Sequence, residues 1–265
     1  MSDGLNKLAE GIGEAIQTVP ELYQDAFQPT TQETGKTLSL IPRTINAALL
    51  PLRQWIAERE YKLAETEKLL AKKLEHVCED KIVTPEAYVA VPALQAISYS
   101  MNSEELRELY ANLLAKAMNT DTKDLVHPSF VEIIKQMSPI DAQIFTQIMI
   151  AEIRPLISIN IQTSPSDLSE QLFEEHCSWI TDYSLVQCRT SFDNLCRLGL
   201  IQIPYGLSYS DTSNYDIVKS NPYFIHAENE CKNNLQKEES IFYTEQYIKT
   251  NDLSELFYKV CVQTI

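Results

Sequence analysis

A glycine, a lysine and a threonine stand together at Gly35-Lys36-Thr37, the ending of a phosphate-binding loop. Such a loop wraps its backbone around phosphate and needs another glycine five positions earlier. That position holds Thr30, and no strand pattern precedes it, so the sequence argues against nucleotide binding here. Glycine occurs only at 4, 11, 13, 35, 199 and 206, which excludes both a Gly-x-Ser-x-Gly elbow and a dinucleotide fingerprint. Helical ribonucleases place an arginine shortly before a histidine, yet no arginine stands within six residues before His76, His127, His176 or His226. Asp216, Glu230 and Lys232 supply the letters of a metal-dependent nuclease, an Asp followed by Glu-x-Lys. That chemistry needs adjacent strands, and the surrounding HAENECKNN is not strand-like. His176-Cys177 with Cys188 and Cys196 offers zinc ligands without the tight knuckle spacing that structural zinc uses.

Three polar positions remain as candidates for contact with a partner or for structural bridging. Arg107 and Asn112 fall on one helical segment, and a buried amide at 112 would need partners for its donors and its acceptor. His127 precedes Pro128, where a ring nitrogen can cap a helix by accepting from a free backbone N–H. Glu104, Glu105 and Glu108 are first-turn acids of the kind that complement a helix dipole. No catalytic residue, metal ligand set or cofactor is expected, and no small-molecule substrate is evident.

The charge balance narrows the partners. With 37 acidic residues against 22 Lys and Arg, the chain carries −15, which disfavours a phosphate backbone as ligand. Residues 161–265 hold 15 of the acids and seven of the bases, so over half of the net negative charge lies late in the chain. The six cysteines include no Cys-x-x-Cys pair. The start MSDGLNKLAEGIGEA has neither a basic nor a long apolar region of a secretion signal. A cytoplasmic protein with reduced, packed thiols is expected.

Helical periodicity supplies the elements that would position these residues. Residues 1–36 are acidic and weakly patterned, with the composition of a mobile N-terminal segment. TLSLIPRTINAALLPLRQWI (37–56) carries only two charges, Arg43 and Arg53, and approaches the length of a membrane span. Pro42 and Pro51 count against a stable span, and a buried broken helix is the plainer expectation. The alternative is a segment whose Leu40, Ile41, Ile45, Leu49, Leu50 and Trp55 meet a membrane on activation. A charged helix is predicted over 52–80, with Leu49, Ile56, Leu63, Leu70 and Val77 forming half of a heptad seam.

A helix over 102–119, capped by Asn102 with Glu105 at the third position, has an apolar stripe of Leu106, Leu109, Tyr110, Leu113, Leu114 and Ala117. Ala111, Ala115 and Met118 give it a second apolar face, which predicts a central position. Pro128 opens a further helix, and Ser138-Pro139-Ile140-Asp141 signs the start of another. Beyond these, Ser164-Pro165 is expected to start a helix with Leu168 and Leu172. A helix carrying Leu185, Cys188, Phe192, Leu195 and Cys196 ends at Gly199. LIQI (200–203) reads as a strand with TEQYIKT (244–250) as hairpin partner, across a long polar loop at about 204–243. A last helix holds Leu253, Leu256, Phe257 and Val260.

The order VPALQA, EELRELYANLLAKAM and HPSFVEIIKQMSPIDA within residues 89–145 resembles the core of the Abi-alpha (abortive infection alpha) family. The resemblance is tightest over about 80–150. It implies a bacterial protein of phage defence and names no reaction. Together these readings predict a mostly α protein: a helical bundle over 37–157, then a winged-helix-like α+β module over 158–265. The expected role is a non-enzymatic defence factor that contacts a protein partner or itself. A membrane-perturbing effector using 37–56 is the alternative, and an uncharacterised nuclease the second alternative.

Overall fold

The computed structural model describes residues 60–99, 103–163 and 170–263. All of them lie within one compact unit, Pro42–Ile265. Gly35-Lys36-Thr37, the 37–56 segment with its six candidate membrane residues, and Asn102 fall outside the described residues.

Among the described residues five α-helices come first: α1 (Glu60–Lys73), α2 (Ala87–Tyr99), α3 (Glu104–Ala117), α4 (Ser129–Lys135) and α5 (Pro139–Ile150). Helix α3 is the hub. Every residue from Leu109 to Ala117 is buried, because both of its apolar faces are covered. Helices α1, α2, α4 and α5 and the last turn of the chain all pack on it. Its cap is Ser103, one residue later than the sequence suggests, with the Leu106 N–H donating to Ser103 Oγ at 3.3 Å. Glu105 is therefore the second helical residue, and it accepts from the Ser103 hydroxyl at 3.0 Å.

Helix α1 stops at Lys73 rather than near Asp80, leaving Val77 beyond its end. The chain leaves the helix to run along the end of α3, where Val83 N–H donates to Met118 O and Thr120 N–H to Lys81 O. Leu70 and Leu74 are buried, as are the polar residues Thr66 and Lys73. Lys73 Nζ meets Glu108 Oε2 of α3 at 2.5 Å, so the buried ammonium has a carboxylate partner.

Local chemistry sets the next boundary as expected. Ser138 and Asp141 form a reciprocal capping box around Pro139 at the start of α5.

Three strands follow, one of them (170–178) where helix was expected. Strand β1 (Pro155–Gln162) is the centre of a three-stranded antiparallel sheet in the order β2-β1-β3, with β2 (Glu170–Ser178) and β3 (Ser240–Tyr247) at the edges. The alternation Ile157-Ser158-Ile159-Asn160-Ile161 explains β1, since each isoleucine points to one face. That face packs on Tyr215, Val218, Phe224, Ala227 and Cys231. On the other face, Asn160 Nδ2 donates to Thr244 Oγ1 at 3.0 Å. The sheet thus begins before residue 158, inside the stretch predicted as bundle.

Two further expectations are corrected. Leu172, expected in a helix, lies in β2, because 170–178 pairs with β1; Ser164, Pro165 and Leu168 fall outside the described residues. LIQI and TEQYIKT form no hairpin; they touch through one antiparallel bridge, Gln202–Lys249, while β3 gives its full length to β1. The 204–243 stretch is not a plain loop either. It holds α7 (Asp216–Lys219) and α8 (Pro222–Asn234), which cover the isoleucine face of β1.

Helix α6 (Leu185–Arg197) precedes that bridge, with Cys188, Ser191, Phe192 and Leu195 buried. Gly199, at φ +74°, ends it: Gly199 N–H donates to Cys196 O and Leu200 N–H to Leu195 O, the paired bonds of a left-handed glycine stop. The final helix α9 (Asp252–Phe257) continues as a π-helical turn, Tyr258–Val262, and brings the C-terminal part back onto the bundle. Phe257, fully buried, stands edge-on to Phe130 and to Phe145, each at 5.4 Å.

Candidate functional site

The three predicted polar positions serve different elements. Asn112, only 2 % exposed, donates from Nδ2 to Cys261 O at 2.8 Å and to Val262 O at 3.1 Å. It closes the carbonyl end of the final helical turn, whose last acceptors have no partner within their own helix. His127 is exposed and sits at the head of α4. Ser129 donates its N–H to His127 Nδ1 at 3.1 Å, and its hydroxyl lies 2.6 Å from the same nitrogen. Arg107 is half-buried on the first turns of α3. Asn112 and His127 thus hold helix ends, and none of the three residues lines the groove described below.

The residues that suggested catalysis are dispersed. Asp216 begins α7, while Glu230 and Lys232 lie on α8, so none of the three is on a strand. Lys232 Nζ pairs with Glu228 Oε2 at 2.6 Å within that helix. Burial raises the Cys177 thiol to about 12 and the Cys188 thiol to about 11, and it raises Cys261 as well. Thiols held protonated in this way make poor nucleophiles and poor metal ligands. Among the described residues, no group of three or more His, Cys, Asp or Glu is placed to hold a metal ion.

His176 is the one strained polar residue in this region. Its φ of +51° is uncommon for a non-glycine, and it sits where the β1–β2 register shifts. The kink turns its N–H to Ser158 Oγ at 3.1 Å. The ring lies 3.6 Å from Glu175 Oε1 through Nε2, and its buried Nδ1 has no hydrogen-bond partner. Beside it Arg189 of α6 pairs with Glu174. Burial lowers the His176 pKa, Glu175 and Asp193 oppose that shift, and Arg189 adds to it.

The sign of the pH effect follows. Unfolded, this ring takes a proton near its ordinary pKa of about 6.5; folded, it does so only at lower pH. The neutral ring is therefore accommodated above that value, and stability is lost as pH falls through it. His176→Asn tolerates the left-handed backbone and cannot titrate. Its urea midpoint is expected to fall less steeply than that of the unsubstituted protein between about pH 7 and 5. Parallel slopes would show that His176 does not titrate on unfolding.

A concavity lies elsewhere. A groove of about 570 Å³ runs between the α4–α5 junction and α6. Met137, Ile140 and Val186 give it an apolar floor and wall, and Val186 is 60 % exposed. Polar bonds hold the two sides together: Asn194 Nδ2 donates to Gln136 O at 3.0 Å and to Asp141 Oδ2 at 2.9 Å. Arg197 Nη1 donates to Gln136 Oε1 at 2.8 Å. Asp141 also accepts from Ser138 N–H, so one carboxylate caps α5 and anchors α6. The KQMSPID run carries the family resemblance but shows no site by itself, since the opposite wall is some fifty residues away.

No curated protein matches this chain, and no solved structure does. The family model for abortive infection alpha matches residues 58–261, spanning the helical bundle, the sheet and the returning C-terminal helix. The match takes in the cap, floor and far wall of the groove, and the chain belongs to the abortive infection alpha family of phage-defence proteins.

Proposed function

We propose that this chain acts in abortive infection as a binding protein rather than an enzyme, through the groove between α5 and α6. The observation that carries the reading is the groove's composition. Its exposed Val186 stands beside Met137 and Ile140, while the polar groups around it bind one another instead of converging on a substrate. Apolar floors with satisfied polar rims suit protein partners. The net charge of −15 disfavours nucleic acid. In this reading the C-terminal part is winged-helix-like only in α6, the Gly199 stop, the Gln202–Lys249 bridge and α9, and it serves as protein-contact surface.

Val186→Asp tests it. The side chain is exposed, so the unfolding free energy should stay within about 0.5 kcal/mol of the unsubstituted value. A carboxylate in the groove floor should abolish protection when cells carrying the variant are challenged with phage. Full protection by a folded variant would sink the reading. Cleavage of RNA or DNA in the presence of divalent metals would replace it with a nuclease. Among the described residues no helix is long and apolar enough to cross a membrane. Leakage of dye from anionic liposomes on adding the full chain would favour the membrane alternative through 37–56.

A further inference from the structure

The two edges of the three-stranded sheet are finished differently. Along β2 the register with β1 shifts twice, between Ile157 and Ile159 and between Ile159 and Asn160, and His176 takes its left-handed kink there. The strand also carries Glu170, Glu174 and Glu175. Bulges and charges are the ordinary means of stopping a further strand from adding to an edge. Strand β3 has neither bulge nor proline. Its residues SIFYTEQY pair with β1 without a shift, and their one charge, Glu245, meets Lys219 Nζ at 3.2 Å.

The backbone of β3 alternates between β1 and the outside. Ile248 N–H donates inward to Arg154 O, whereas Lys249 exchanges both backbone bonds outward with Gln202, at 2.9 and 2.8 Å. Antiparallel pairing alternates in this way, so Ile241, Tyr243, Glu245 and Tyr247 also turn N–H and C=O away from β1. Among the described residues none of these outward groups has a hydrogen-bond partner. The bridge at Gln202 does not extend along the edge. Continued antiparallel, it would set Pro204 opposite Tyr247, where an N–H is needed and proline has none. The edge is therefore open from Ile241 to Glu245.

Only an extended chain offers donors and acceptors at the spacing of such a row. Charge and register favour another copy of this one. The chain carries −15, which opposes the approach of two copies, yet from Lys219 to Lys249 five acids are offset by four lysines. Placed antiparallel with Tyr243 facing Tyr243, two β3 strands set Ile241 of one copy against Glu245 of the other. Every outward N–H from 241 to 245 then meets a C=O, and no like charges stand opposite each other.

We propose that the β3 edge is a self-association site, where two copies join through residues 241–245 into one continuous antiparallel sheet. Both copies use the same edge, and only the guarded β2 edges are left outside, so association stops at the dimer. The contact does not use the α5–α6 groove, so this proposal and the reading of the groove stand or fall separately.

Sedimentation equilibrium on the full chain should show a mass that rises with concentration to two copies and no further. Hydrogen exchange read residue by residue supplies an independent measure. The amides of Ile241, Tyr243 and Glu245 should exchange quickly in dilute solution and at least about tenfold more slowly once the dimer forms. Tyr243→Pro removes one outward N–H from each copy and leaves the bonds to β1 in place, since proline is tolerated on an edge where the N–H faces away. It should weaken the dimer at least about tenfold. Tyr243→Phe keeps both ring and N–H and should dimerise as the unsubstituted protein does. A chain that stays monomeric at every concentration overturns the proposal. So does a dimer in which those three amides still exchange at the dilute rate, or one that a folded Tyr243→Pro forms undiminished. Should Tyr243→Pro fail to fold, the exchange rates of the unsubstituted chain decide by themselves.

Discussion

Replacing Asn112 by aspartate is expected to destabilise the protein by about 3–5 kcal/mol at neutral pH, the cost of leaving a buried charge without a partner. The change exchanges one NH₂ for an oxygen and alters almost no volume. Yet the oxygen would face Cys261 O at 2.8 Å and Val262 O at 3.1 Å, two acceptors in a site 2 % exposed. A carboxylate there repels both carbonyls, and only its protonated form can donate. The folded-state pKa of residue 112 would therefore lie above its unfolded value of about 3.9. The sign is then fixed: stability is retained below that unfolded value and lost as pH rises through the folded one. Urea midpoints for Asn112→Asp measured from acid to neutral pH should fall relative to the unsubstituted protein. Asn112→Leu removes the donor without adding charge and should cost less, about 1–3 kcal/mol, with no such trend. Identical midpoints for the aspartate variant and its parent at neutral pH would mean that the amide does not secure the last helix.

Phe257→Ala should be as damaging, at about 3–5 kcal/mol. The ring is fully buried and meets Phe130 and Phe145 edge-on, so truncation removes transfer energy, leaves a cavity and breaks two aromatic pairs. Phe130 and Phe145 belong to α4 and α5, so the loss falls on the junction between the C-terminal helix and the bundle. Hydrogen exchange should therefore show residues 252–262 losing protection before the sheet does. An exchange pattern unchanged across those residues would contradict the docking role, whatever the change in midpoint.

Both variants test contacts no sequence window contains. Asn112 was legible as a residue that needs partners, because it sits at the edge of an apolar stripe, but its acceptors lie 149 and 150 residues later. By contrast Ser138-Pro139-Asp141 and Gly199 were read in place, since capping and left-handed stops are settled within a few residues. Strand β1 carries its own signal in the alternation of Ile157, Ile159 and Ile161, close behind the apolar residues of α5. Strand β2 gave little warning. Its segment EQLFEEHCS is polar and lacks clean alternation, and it is a strand because β1 offers it an edge. The groove was half legible in KQMSPID, while α6 supplied the other half from some fifty residues further along the chain.

The sequence by itself determined that this protein is acidic and built mainly of helices, with α3 at the centre and sharp starts and stops at Ser138 and Gly199. It also carried enough ordered pattern to resemble its family. Periodicity and capping are local interactions, and the chain writes them down directly. Only the tertiary structure decided that β3 pairs with β1 instead of with residues 200–203, that the last helix closes on α3, and that the α4–α5 junction faces α6 across an apolar groove. Those outcomes depend on which distant surfaces bury one another best, and that competition is resolved only when the whole chain is packed.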